Sequence, residues 1–204
     1  MVREKRYDSL EDAEVRPDLV RRLWLLNHDV SFAAFARLLR LLTGVREIRL
    51  GWLWWMALPK ELADLRELRS LTVLNTPIQK FPDFLAACPH LTELVLRGTD
   101  IATIPATVEG FRALRRLDLS NNPLSQIAPE LGRLPQLRQL ILADDGLSTL
   151  PDSLSALHRL RTLMLSGNRF TWAEAARVRR WFRRGVVSVW GTDKSGGLTR
   201  RCAE

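Results

Sequence analysis

Side chains able to act together as nucleophile, base or metal ligand are few in this 204-residue chain: His28, His90 and His158, Cys88 and Cys202, and the adjacent carboxylates Asp144 and Asp145. A Ser-His-Asp or Cys-His device needs its members brought together in ordered roles, and a zinc site needs Cys and His at short, defined spacings. No histidine here has a cysteine or carboxylate at such a spacing. The run GTDKSGG near the C-terminus lacks the spacing and the following helix of a phosphate-binding loop. Cys202 is third from the end, which excludes prenylation. The expectation is a protein with no catalytic residue, no metal and no cofactor, not an enzyme.

The chemistry that does recur is that of the guanidinium group. Lys+Arg total 31 against 23 for Asp+Glu, and lysine occurs only at positions 5, 60, 80 and 194, so the excess is arginine. Arg46, Arg69, Arg115, Arg138 and Arg161 stand at multiples of 23 residues, with Thr92 interrupting the series. Side by side they would form a basic rim, which could track phosphates or an acidic partner, or could be a soluble residue copied by repeat duplication.

Whether they stand side by side depends on the elements that carry them. From Leu114 the apolar residues Leu117, Leu119, Leu124, Ile127, Leu131 and Leu134 follow a rhythm that is neither helical nor strand-like throughout. The first three have strand spacing, Asn122 and Pro123 make a turn, and the rest suits an arc of turns or short helix returning to the start. The same pattern begins at Val45, Leu68, Leu91, Leu114 and Leu137 with every template position apolar, and continues from Leu160 in part. One such coil cannot bury its own apolar side, so the copies must stack.

Segments such as LRRLDLSNNPLSQI, LRQLILADDGLSTLPDSLSALHR and LTELVLRGTDIATIPATVEGFRA resemble the 23-residue class of leucine-rich repeat found in intracellular and bacterial proteins, over about residues 45 to 170. The resemblance implies an α/β solenoid, or horseshoe, with one strand per coil in a concave parallel sheet, a ladder of asparagines and binding of other proteins on the concave face. With helical N- and C-terminal caps, about seven coils are expected.

The expected boundaries are a flexible lead-in over 1–19, a repeat domain over 20–190 with coils starting near 22, 45, 68, 91, 114, 137 and 160, and a flexible tail over 191–204. Ser31 should cap a helix SFAAFARLLRLLTG that stops at Gly44, and Thr171 with Glu174 should form a capping box that opens a C-terminal cap over 171–190. The apolar positions of this cap end in a short strand at VVSVW. No signal peptide or membrane-spanning run is visible, and Cys88 falls at a core position away from Cys202. The expected compartment is the cytoplasm, or delivery from it without a cleavable signal peptide.

Strand alternation sends the residues between core leucines to the concave face. Counting 23 residues back puts Trp24 beside Glu47, Leu26 beside Arg49 and His28 beside Gly51. The middle column then runs Leu26, Arg49, Thr72, Val95, Asp118, Ile141 and Met164. The slot filled by Thr76, Thr99, Asn122, Asp145 and Asn168 is given up in the second coil to Leu53, flanked by Trp52 and Trp54. Departures from local consistency are expected at functional or strained sites. The candidate partner-binding residues are therefore Trp24, His28, Arg49, Trp52, Leu74, Arg97 and Asp118, unless Trp52 and Trp54 fold back over the first coil. The expected function is non-catalytic binding of another protein, which the basic rim would allow to be acidic, by a monomer; nucleic acid ranks below it and membranes are excluded. The alternative is the substrate-recognition portion of a bacterial effector or ligase-type protein with its catalytic domain elsewhere.

Overall fold

The computed structural model describes residues 6–26 and 29–182 together with the backbone of 187–188. In chain order its elements are β1 (Arg6–Tyr7), α1 (Leu10–Val15), β2 (Arg22–Leu25), α2 (Phe32–Leu39), β3 (Glu47–Gly51), β4 (Ser70–Leu74), β5 (Glu93–Arg97), β6 (Thr103–Ile104), β7 (Arg116–Asp118), β8 (Gln126–Ile127), β9 (Gln139–Ile141), β10 (Thr162–Met164), α3 (Trp172–Trp181) and β11 (Val187–Ser188). Nine strands form one parallel sheet in the order β1-β2-β3-β4-β5-β7-β9-β10-β11, and β6 pairs with β8 on the far side of two coils. Each of the five full coils returns through a five-residue 3-10 helix, as at Lys60–Asp64 and Asp152–Ala156, whereas the first coil returns through α2 and the last leads into α3. The fold is an α/β solenoid with its sheet lining the concave side.

Stacking at the 23-residue period is visible in the register: Leu71 pairs with Leu94, Leu94 with Leu117 and Leu117 with Leu140. Of the template residues in the five full repeats, all are buried except half-buried Ile127. The polar slot closes the coils onto one another. Asn122 Oδ1 accepts from Thr99 N, Asp145 Oδ1 from Asn122 N and Asn168 Oδ1 from Leu147 N. The Asn122 amide donates to Leu96 O and Leu119 O, and that of Asn168 to Leu142 O and Leu165 O. Buried backbone groups left unpaired by the turn are thereby satisfied.

The first coil departs from the count. Leu23 pairs with Ile48 and Trp24 with Arg49, an offset of 25 rather than 23. Val20 therefore occupies the position of Val45, and both are buried. Beyond the strand, Phe35, Leu39 and Leu42 sit 23 residues before core positions, so two extra residues lie between Leu25 and Phe35. The middle column begins with Trp24, not Leu26. Ser31 caps α2 by accepting from Ala34 N, and the helix gives way to a turn after Leu39, short of Gly44.

Residues 6–19, expected as a flexible lead-in, instead build the N-terminal edge. β1 pairs with β2 through Arg6 and Tyr7, α1 is capped by Ser9, and Tyr7 and Ala13 are buried. The reason is an exposed solenoid end, whose strand edge and apolar face both need a cover. At the other end Thr171 caps α3 by accepting from Glu174 N, but Glu174 does not complete the expected box. Its Oε1 accepts from Leu150 N and Thr149 Oγ1 of the preceding coil, and its carboxyl is held below the ordinary value mainly by the hydrogen bond from Arg177. Residues 191–204, expected as a tail, lie outside the described residues.

Candidate functional site

The three columns of the concave face follow from the register. The middle one is Trp24, Arg49, Thr72, Val95, Asp118, Ile141 and Met164, flanked by Arg22, Glu47, Ser70, Glu93, Arg116, Gln139 and Thr162 toward the start of the strands. Toward the strand ends, Gly51 pairs with Leu74 and Leu74 with Arg97. A Cβ on Gly51 would come to 3.0 Å from Leu26 Cδ2, so the glycine makes room for exposed Leu26 beside Leu74.

Trp24 is the hub of the N-terminal third. The Arg49 guanidinium lies 4.2 Å from its ring centre and that of Arg6 4.6 Å. Its indole N–H donates to Glu47 Oε1 at 3.2 Å, the same oxygen that accepts from Arg49 Nε at 2.7 Å. Arg22 approaches the other Glu47 oxygen at 3.4 Å. Such a cluster holds an indole rigidly between cations. Arg6 was not among the expected site residues, because nothing in residues 1–19 marks that segment as a strand.

Trp52 is 42% exposed and Trp54 74%, so neither folds back over the first coil. That duty falls to Trp55, which meets Phe32 and Phe35 at ring distances of 5.3 and 5.2 Å and donates to Val30 O. Leu53 fills its slot as a buried apolar residue, its N–H donating to Thr76 Oγ1.

Trp52 also has φ 54°, in the left-handed region. The same position in the next five coils is Asn75, Gly98, Asn121, Asp144 and Gly167, all with positive φ. Asn, Asp and Gly adopt that conformation readily, and a bulky aromatic does not. The recurrence of these five residues every 23 positions is a signal that the sequence carries. Trp52→Asn, copying Asn75 and Asn121, is expected to raise unfolding stability by about 1 kcal/mol in a denaturant titration, the lower end of the usual cost of such strain.

The other expected residues fall as follows. Leu74 is half-buried, and its carbonyl accepts from Trp52 N at 2.9 Å; Arg97 is exposed beside it. His28 lies outside the described residues. Asp118 is 5% exposed, and its carboxylate accepts from Ser120 N, Ser120 Oγ and Arg116. A side chain so enclosed has little surface to offer, contrary to the open position on the concave face expected for it. Among possible reactive groups, burial pushes the Cys88 thiol up to about 11 and it donates to Leu62 O, so it is held as a thiol. Among the described residues no three His, Cys, Asp or Glu side chains gather as metal ligands, and no helix is long and apolar enough to cross a membrane.

The arginine rim is real as a backbone row. Arg46 N donates to Arg21 O, Arg69 N to Arg46 O, Arg115 N to Thr92 O, Arg138 N to Arg115 O and Arg161 N to Arg138 O, at 2.7 to 2.9 Å. Arg21 thus joins the row, again at an offset of 25. The rim runs along the start of the strands, and the Trp52 column along their ends.

A family profile described as leucine rich repeat matches residues 112–170, within the coils whose polar slots are best filled. The chain carries leucine-rich repeats over those residues, and its coils from β3 to β5 keep the same 23-residue period. Its fold is similar to that of a leucine-rich-repeat protein of Leptospira interrogans, with TM-score 0.59 and 23% identity over 82% of this chain and 54% of the other. Internalin C2 of Listeria monocytogenes gives TM-score 0.62 at 22% identity, covering 74% of this chain and 64% of that one. The Toll–Spätzle complex of Drosophila gives 0.61 at 22% identity, over 72% of this chain but 21% of its own. This leucine-rich-repeat chain therefore spans about half the length of the Leptospira protein and under two thirds of the internalin. No curated protein matches it in sequence. Leucine-rich repeats generally serve as protein-interaction modules.

Proposed function

We propose that this leucine-rich-repeat protein is a non-catalytic module that binds a partner protein through the N-terminal third of its concave face and the adjoining strand-end rim. The single observation that supports this most is Trp52. It is exposed in a backbone conformation that its own repeat fills elsewhere with Asn, Asp or Gly. Strained residues persist where the surroundings or a function hold them, and they cluster at ligand-contacting sites. Leu26, Leu74, Trp54 and Met56 add exposed or half-exposed apolar surface nearby in the chain or register, while Trp24 and Arg49 supply the indole-guanidinium composition of an interface hot spot.

The test is affinity capture from native cells with the wild-type chain and with Trp52→Asn combined with Leu74→Ala. Loss of two hot-spot side chains is expected to weaken capture by about thirtyfold or more. Trp52→Asn alone should raise stability while lowering capture, opposite movements that a purely structural tryptophan would not give. Undiminished capture by the double variant would move the contact to the C-terminal strands around Arg97 and Ile141.

A further inference from the structure

The arginines of the concave side fall into two classes. Arg22, Arg49 and Arg116 are paired with Glu47, Glu93 or Asp118. Arg69, Arg115, Arg138 and Arg161 make no side-chain hydrogen bond or ion pair among the described residues, although their strands are neighbours and their Cα positions recur at about 4.8 Å per strand in the continuous part. Like charges in a row repel, so an unneutralised row is a surface shaped for an anion rather than for the fold itself.

Where Thr92 interrupts the row, the side chain is short and donates to Arg69 O of the neighbouring coil. An open groove of about 400 Å³ begins there, lined by Thr92, Glu93, Arg115, Arg116, Arg138, Gln139 and Arg161. Arg116 Nε is buried at its edge with no hydrogen-bond acceptor in the protein, Glu93 Oε1 approaching only to 3.4 Å. Arg116 is thus turned toward its carboxylate neighbours, and the donors open to the groove are those of Arg115, Arg138 and Arg161.

We propose that this groove takes an acidic segment of a protein, its Asp or Glu carboxylates received by the forks of Arg115, Arg138 and Arg161. The inference rests on the reading of the chain as a protein-binding module and names a second contact for the same partner. Arginine presents paired donors that match a carboxylate. An extended segment places same-side carboxylates about 7 Å apart, so two of them fall within the roughly 10 Å from Arg115 to Arg161, each within reach of a long guanidinium side chain. A nucleic acid fits less well. The groove's lining holds no aromatic side chain on which bases could stack.

The experiment titrates the purified full chain with a fluorescent oligo-glutamate peptide and, separately, with a single-stranded oligothymidylate of similar length. The variants are Arg115→Gln/Arg138→Gln/Arg161→Gln and a control, Arg112→Gln/Arg179→Gln/Arg180→Gln, which removes the same charge from other exposed positions. Peptide binding should fall by about tenfold or more in the groove variant and stay near wild type in the control, with unchanged thermal midpoints. Equal losses in both variants would reduce the effect to net charge. No peptide binding by the wild type, or tighter oligothymidylate binding that the groove variant loses, would overturn the proposal. Because no native partner is present in these titrations, their failure leaves the capture test at Trp52 and Leu74 standing, and failure of that test leaves the groove result standing.

Discussion

Leu119→Ala is expected to destabilise the chain by about 2 to 5 kcal/mol in denaturant unfolding, the range for truncating a fully enclosed leucine. Leu119 is wholly buried at the end of the β7 strand segment. Its N–H donates to Ile141 O on one side, and its carbonyl accepts from Asn122. The cavity would open beneath the best-formed rung of the ladder, between coils that touch only their neighbours, so little can collapse to fill it. A loss below about 1 kcal/mol would mean that the coil relaxes locally, against the close packing expected of a stacked core.

Asp145→Asn is expected to stabilise the chain by about 1 to 3 kcal/mol near pH 8, an effect that fades toward acid, because a buried polar atom left unpaired costs about that much. Asp145 is 3% exposed, its Oδ1 accepts from Asn122 N, and its Oδ2 has no partner. Burial raises its carboxyl from 3.8 to about 8, with the charges of Asp144 and Asp118 adding to the rise and the Asn122 N–H opposing it.

The folded chain therefore keeps a proton that the unfolded chain gives up above about pH 4, and its contribution to stability is fully present in acid. That contribution is lost as pH rises through the window up to about 8 and is flat beyond. Glu174, whose carboxyl is lowered chiefly by its hydrogen bond with Arg177, contributes with the opposite sign, losing stability as pH falls. The difference between variant and wild type, followed by circular dichroism at several pH values, isolates Asp145. An asparagine there would place amide protons where Asn122 and Asn168 place theirs, toward Leu119 O and Leu142 O by the 23-residue equivalence. Parallel pH profiles for the two proteins would refute the coupling.

The exposure of Trp52 and the pairing of Asp118 both lie beyond what the chain alone decides. That the second coil breaks its own rule at Leu53 is written in the letters; that Trp52 beside it is exposed rather than folded over the first coil is not. That Trp52 takes up a left-handed backbone could have been read from Asn75, Gly98, Asn121, Asp144 and Gly167, which share its column. Asp118 reads as a surface charge until Ser120 and Arg116 are seen to enclose it.

By itself the sequence determined the period, the order of the coils, the buried set and the polar ladder. Each coil meets only the coils before and after it, so a contact in space is an interval of 23 in the chain, and burial follows from spacing alone. Only the tertiary structure decided what happens where that equivalence fails or where long side chains choose among neighbours. The first coil absorbs two extra residues so that Leu23 and Leu25 reach the core beside Ile48 and Leu50, and this moves Trp24 next to Arg49. The lead-in segment joins the sheet because an open edge and an apolar end need cover, and it carries Arg6 over the Trp24 ring. Arginines that look alike in the sequence divide because carboxylates stand in the strand positions next to Arg22, Arg49 and Arg116, whereas Arg69, Arg115, Arg138 and Arg161 make no such pair among the described residues, a difference of a few ångströms across strands that no interval along the chain records.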